Sequence, residues 1–408
     1  MTSTVLDVST PAPVAPASSL ARRLALEATV PAVLFASAAI VVGLIWDISW
    51  HRTIGRDTFW SPPHLLEQVA AVVAGLLCGW RVLYTTFAGT DADRAAGVRW
   101  WGLFRAPLGV WVCIWGTIAM VASAPFDDWW HNAYGLDVEI LTPPHTLLLL
   151  GMVTVQLGAM LVMLGEQNRT GQASRTQGLL FAMSMGFIVL MLATMLYSQT
   201  GVPNLHRSPL FYQSFAAAMP LVLVAVARSA RVAFPATLAA ATYSAVVLVM
   251  SWILALFPAA PMLAPIYNPV THMVPPGFPV LLVVPALAID LLMRRVGDGR
   301  DWLLAVVLGP LFVMPLMAVQ WPFSGFLLSL EQPNYLFATG YWDYNTRVGE
   351  WTTRFIGVPG QRWQRGVGHV GAVDYAGVAR AMLIASGIGM VSSRIGLWWG
   401  SWMRQVQR

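Results

Sequence analysis

Apolar residues run along this chain in unbroken stretches of about 20 positions, separated by short polar breaks. A helix needs roughly 20 apolar residues to cross the hydrocarbon of a bilayer, and core helices of soluble domains are shorter and apolar on one face only. The pattern therefore predicts an all-α polytopic membrane protein of about ten transmembrane helices. They fall near 27–46, 64–85, 107–124, 144–166, 178–199, 211–227, 233–257, 276–295, 302–321 and 378–399.

The polar breaks fix an orientation. Arginines such as Arg22, Arg23, Arg94, Arg99, Arg169, Arg231, Arg294 and Arg404 all fall on one side, which the positive-inside rule makes cytoplasmic, with both termini. All seven histidines (51, 64, 131, 145, 206, 272, 369) fall on or near the opposite side. The chain is expected in a bacterial inner (plasma) membrane with its chemistry toward the periplasm or exterior. The expected organisation has a disordered cytoplasmic tail (1–25), a unit duplicated across helices 1 to 4 (26–170) and further helices (171–321). An outer-face cap (322–377) and a last helix with its tail (378–408) follow.

Composition agrees: 57% of residues are hydrophobic and 11% charged, against about 25% charged in soluble domains. Mean hydropathy is +0.63. The net charge of +5 is carried by arginine in short loops, so a basic pI of 9.5 implies the bilayer as partner and no nucleic acid. Cys78 and Cys113 lie inside predicted spans and read as packing residues.

One phrase is written twice. Residues 47–64 are DISWHRTIGRDTFWSPPH and residues 127–145 are DDWWHNAYGLDVEILTPPH. Asp47 pairs with Asp127, Trp50 with Trp130, His51 with His131, Gly55 with Gly135, Asp57 with Asp137, and Pro62-Pro63-His64 with Pro143-Pro144-His145. The two histidines are 13 residues apart in the first copy and 14 in the second. An Asp and a His four positions apart share one helical face. A glycine then allows a positive φ, and two prolines open the next helix where a missing N–H costs nothing. The second histidine follows in its first turn. Each copy can thus bring one carboxylate and two imidazoles together from adjacent helices, a set that leaves open coordination positions on a metal. The competing readings are structural: helix caps, an aromatic belt, or twin loops left by duplication. A bis-histidine haem is a further alternative, but Gly and Pro-Pro between the histidines break the single helix that it would use.

Around this set, Asp57 and Asp137 are candidates to orient the histidines, or simply turn formers. Glu67 lies one turn after His64 and is a candidate ligand or proton relay; its counterpart in the second copy is Leu148. His206 and His272 are weaker candidates, and His369 reads as structural.

The two sets, Asp-x3-His-x12-His and Asp-x3-His-x13-His, resemble the two copper sites in the C subunit of particulate methane and ammonia monooxygenases, over about residues 45–150. The resemblance implies copper bound by Asp47, His51 and His64, and by Asp127, His131 and His145, where the methane enzyme carries Asn at the position of Asp127. That extra carboxylate leaves iron or zinc open as metals. The chain is longer than a C subunit and carries nothing like the family's cupredoxin domains. The resemblance implies a copper-dependent membrane monooxygenase, or a subunit of one, that oxidises a small apolar substrate (a hydrocarbon or ammonia) with O2. Electrons would come from an external donor, and companion subunits are implied. The alternatives are a non-catalytic, periplasm-facing copper-handling protein and a haem- or quinone-linked electron carrier.

Overall fold

The computed structural model describes residues 18–55, 58–135, 141–169, 175–262, 271–297, 299–327, 363–364, 368–369 and 375–407. Nine of the described helices are long and apolar enough to span a membrane. These are α2 (Thr29–Thr53), α3 (Pro62–Phe87), α5 (Leu108–Tyr134), α6 (Pro143–Arg169), α7 (Arg175–Met195), α9 (Pro209–Ser229), α10 (Pro235–Leu254), α12 (Asp301–Leu327) and α13 (Tyr375–Met403). The shorter helices are α1 (Ser18–Leu26), α4 (Asp91–Ala95), α8 (Tyr197–Thr200) and α11 (Val283–Arg295), with a 3-10 turn at Pro203–Arg207. A hairpin of β1 (Val98–Trp100) and β2 (Phe104–Ala106) precedes α5, and a two-residue pair, β3 (Trp363–Gln364) and β4 (Gly368–His369), precedes α13. The protein is an all-α polytopic membrane protein.

Two expectations are corrected. The span foreseen at 276–295 is only the 13-residue α11, because Pro275, Pro276 and Pro279 deny helical hydrogen bonds to the segment before it. Residues 18–25, expected as part of a disordered tail, fall in α1. Arg81 Nη1 donates to Ala25 O at 2.9 Å and Trp80 Nε1 to Ala21 O at 3.2 Å, tying α1 to α3. Residues 1–17 and most of the cap foreseen at 322–377 lie outside the described residues.

Two pairs of helices carry the repeated phrase. α2 ends where α3 begins, and α5 ends where α6 begins, at the same end of the bundle. Without a hydrophobic driving force between helices in lipid, close backbone approach and polar links decide packing. α5 and α6 meet through glycines: a Cβ on Gly116 would lie 2.7 Å from Val155 N, and one on Gly151 2.8 Å from Met120 N. α2 and α6 are joined in the interior, where Gln156 Nε2 donates to Ser37 O at 2.8 Å and the Ser37 hydroxyl donates back to Gln156 Oε1. Farther along, Pro220 interrupts α9, and the Ser392 hydroxyl of α13 bridges the break. It donates to Ala217 O at 2.8 Å and accepts from Leu221 N at 3.0 Å. Main-chain groups freed by a proline in lipid need such a partner.

A candidate metal centre, built twice

Both copies are assembled by the same local rules. α2 continues past Trp46 to Thr53, so Asp47 and His51 stand on one face of its last two turns; Asp127 and His131 hold the same places on α5. The chain leaves each helix through a glycine of positive φ, Gly55 at 95° and Gly135 at 88°. Pro62-Pro63 and Pro143-Pro144 then open α3 and α6, so His64 and His145 lie in a first turn.

The expected side chains meet. In the first copy His64 Nε2 stands 3.2 Å from Asp47 Oδ1 and His51 Nε2 3.7 Å from Asp47 Oδ2. In the second, His131 and His145 Nε2 stand 3.5 and 3.6 Å from Asp127 Oδ1. The aspartates are mostly shielded, with side chains 21% and 27% exposed. In both copies the aspartate Oδ1 is buried and, among the described residues, accepts no hydrogen bond, although an imidazole nitrogen is close.

The other side of the rings explains this. Nδ1 of His131 lies 3.0 Å from Gly135 O, Nδ1 of His64 3.0 Å from Thr58 O, and Nδ1 of His51 a longer 3.4 Å from Gly55 O. A carbonyl oxygen only accepts, so these contacts place the ring hydrogen on Nδ1 and turn the Nε2 lone pair toward the aspartate. Lone pairs facing a carboxylate repel unless a proton or a metal cation lies between them. The N–O separations of 3.2–3.7 Å match the edges of a coordination polyhedron with bonds of about 2.0–2.1 Å. Among the described residues no group of three or more His, Cys, Asp or Glu side chains is placed so that it could hold a metal ion. Each set stands as two Asp–His contacts sharing one aspartate.

The glycines are functional parts of this geometry. Gly135 combines φ 88° with ψ −167°, a region essentially reserved for glycine. Gly135→Ala is expected to cost about 1–3 kcal/mol and to displace the carbonyl that holds His131. Thermal unfolding, read together with metal content, checks this: loss of stability at unchanged metal content would separate the turn from the site.

Asp57 and Asp137, foreseen as orienting the histidines, lie outside the described residues; at three of the four rings a main-chain carbonyl stands at Nδ1. Sequence reasoning missed these carbonyls because every residue has one. Glu67 is 2% exposed and reaches across to α2, where a Cβ on Gly43 would lie 2.5 Å from its Cγ. The two copies also differ in covering. The segment after residue 271 crosses the end of α2: Val274 N donates to Thr53 Oγ1 at 2.9 Å and Arg52 Nη1 to Pro275 O at 3.3 Å. His272 is held by a backbone bridge to Pro258 and a ring contact with Thr271.

His206 belongs to the scaffold. Fully buried, it donates from Nε2 to Thr200 O at 2.8 Å, and its Nδ1 accepts from Gln320 Nε2 at 3.0 Å. Burial pulls its pKa down to about 4, against the raising effect of the Thr200 carbonyl. A histidine kept neutral in the fold stabilises above its unfolded value of 6.5, and that stability is lost as pH falls from 6.5 toward 4. The loss is expected to reach about 3 kcal/mol. Unfolding midpoints in detergent between pH 7.5 and 4.5 should fall accordingly, and the His206→Gln protein should show a flatter profile.

Neither a known family, a characterised protein nor a solved structure matches this chain.

Proposed function

We propose that the protein is a membrane-embedded copper protein that oxidises a small apolar substrate with O2. Its sites would face the periplasm of a bacterial inner membrane. The observation that carries the metal reading is the aspartate oxygen, buried without a hydrogen bond from the described residues and faced by imidazole Nε2, repeated in both copies. Copper and the monooxygenase activity rest on the likeness of the two Asp-His-His sets to those of the methane and ammonia enzymes.

When bound, copper would supply the oxygen chemistry, with electrons from an external donor. Asp47 and Asp127 supply one negative charge each, and His51, His64, His131 and His145 supply neutral nitrogen donors. The carbonyls of Gly55, Thr58 and Gly135 hold three of the four rings so that Nε2 is presented. Trp130, its ring 4.5 Å from that of Tyr134, and Trp129 give the second site an apolar flank of the kind a small apolar substrate favours. A companion subunit fits the family likeness.

A second reading, copper handling without catalysis, is favoured by the partial exposure of the donors, with His51 at 48%. Such sites suit metal exchange. A bis-histidine haem is not favoured, since its two Nε2 atoms must face each other across an iron. Here both nitrogens of a copy face one carboxylate.

The test is metal analysis and electron paramagnetic resonance of the purified protein, followed by oxygen uptake with hydrocarbons and ammonia. Copper at about two per chain with substrate-dependent uptake supports the enzyme. Copper without uptake leaves the handling protein, and a copper-replete preparation free of metal defeats both.

A further inference from the structure

The β1–β2 hairpin stands between α3 and α5, at the end of the bundle opposite the candidate metal centres. It is tied back on both helices: Thr86 Oγ1 of α3 accepts from Arg105 N at 2.9 Å, and Trp111 Nε1 of α5 donates to Val98 O at 3.3 Å. Trp100 lies along α5, its ring 5.9 Å from that of Trp111 and 6.0 Å from that of Trp115. α5 has 27 residues and so runs about 40 Å, against about 30 Å of hydrocarbon in a bilayer. Trp115 comes seven residues after Leu108, about 10 Å along the axis, which is already below the edge of the hydrocarbon. A hairpin folded back to that level lies among the headgroups, where tryptophan is favoured.

The tip is strained. Leu103 N donates to Trp100 O at 3.2 Å, closing a turn whose central residues, Trp101 and Gly102, have φ of 49° and 72°. Glycine adopts such a φ freely, whereas a bulky side chain does so at a cost. The indole is not buried in return: Trp101 is 77% exposed, and Leu103 beside it 55%. Strain of this kind persists where a function retains it.

We infer that this hairpin is a membrane-surface anchor: Trp101 and Leu103 insert among the lipid headgroups, and the arginines around them select anionic phospholipid. The inference stands on the membrane fold and goes beyond the metal reading. Between residues 18 and 175 this end of the bundle carries eight arginines against four acids, Glu27, Asp91, Asp93 and Glu166. Three of the acids are engaged locally. Asp91 pairs with Arg94 at 2.9 Å, Asp93 accepts from Thr90 N and Oγ1, and Glu166 pairs with Arg169. Arg99 and Arg105 flank the tip and donate to neutral acceptors, Arg99 Nε to Gly102 O and Arg105 Nη1 to Arg94 O at 3.4 Å. Their charge is left for lipid phosphates, which attract arginine at a membrane surface.

The test uses the full chain in phosphatidylcholine nanodiscs, with and without phosphatidylglycerol. A spin label on Leu103→Cys reports the depth of the tip through its relaxation by oxygen, which enters lipid, and by a water-soluble nickel chelate. Cys78 and Cys113 are buried, and the unsubstituted chain supplies the background. A label on Asp91→Cys, whose side chain is fully exposed, marks water. Relative to that marker the Leu103 label should favour oxygen over the chelate, and phosphatidylglycerol should deepen it. Arg99→Gln should raise the phosphatidylglycerol fraction needed for half of that shift severalfold. Trp101→Gly fits the positive φ and keeps the turn, so it should return the label to the behaviour of Asp91 without lowering the unfolding midpoint in detergent. Trp101→Phe should keep the insertion. A tip label that matches Asp91 in both lipids would overturn the inference and leave this surface to a partner protein. Insertion indifferent to phosphatidylglycerol, or unmoved by Trp101→Gly, would overturn it as well. So would insertion lost together with stability, which would make Trp101 a packing residue.

Discussion

On the proposed metal reading, Asp47→Ala is expected to remove one metal per chain and leave the second site loaded, and Asp127→Ala to do the reverse. Each aspartate is the shared member of two contacts, 3.2 and 3.7 Å in the first copy and 3.5 and 3.6 Å in the second. Removing it takes away the carboxylate that both imidazoles face among the described residues, so affinity should fall by about a hundredfold. A single histidine change, such as His64→Ala, leaves the carboxylate and one nitrogen and should cost less. Metal content by elemental analysis, with the resonance spectrum of each single-site protein, reads this directly. If Asp47→Ala and Asp127→Ala both retain two metals per chain, the aspartates are structural and the metal lies elsewhere.

The largest loss of stability is expected from Gly116→Leu or Gly151→Leu. At these positions α5 and α6 touch backbone to backbone, with Val155 N and Met120 N in the space that a Cβ would take. A leucine cannot be absorbed by a rotamer change in a neighbour, because the obstacle is main chain. The helices must part, at a cost of about 3 kcal/mol or more. Since α5 carries Asp127 and His131 and α6 carries His145, the second site should fail with them, while the first, on α2 and α3, should keep its metal. Unfolding in detergent and site-resolved metal content test the two halves of this expectation. Equal damage to both sites would mean that the two helix pairs do not act as separate units.

The parts of this architecture that depend on residue identity were legible in the sequence. Apolar run length marked the spans, and the offset of four marked Asp47 with His51 and Asp127 with His131. Glycine and proline marked the turns, and Gly55 and Gly135 take the positive φ that this required. What remained hidden depends on the main chain or on distant segments. The carbonyls of Gly55, Gly135 and Thr58 orient the rings, yet every residue carries such a group. The cover that Val274 and Pro275 place on α2 comes from more than 200 positions away. Glu67 was visible as a charge in an apolar run; its seat was not, since nothing in the sequence pairs it with Gly43. The span foreseen at 276–295 failed because hydropathy registers proline weakly, whereas its missing N–H decides where a helix can begin.

The placement of each site at a helix junction has a consequence for the local field. α2 and α5 end there, presenting the negative poles of their peptide dipoles, and α3 and α6 begin there, presenting positive poles. Partial charges of about half a unit and opposite sign converge on one spot and largely cancel. The scaffold is therefore close to electrically silent where the donors meet, unlike the single helix start that holds many anions. A neutral amide in place of either aspartate would find no backbone potential to replace the lost charge, so the isosteric Asp47→Asn and Asp127→Asn changes should be felt almost in full.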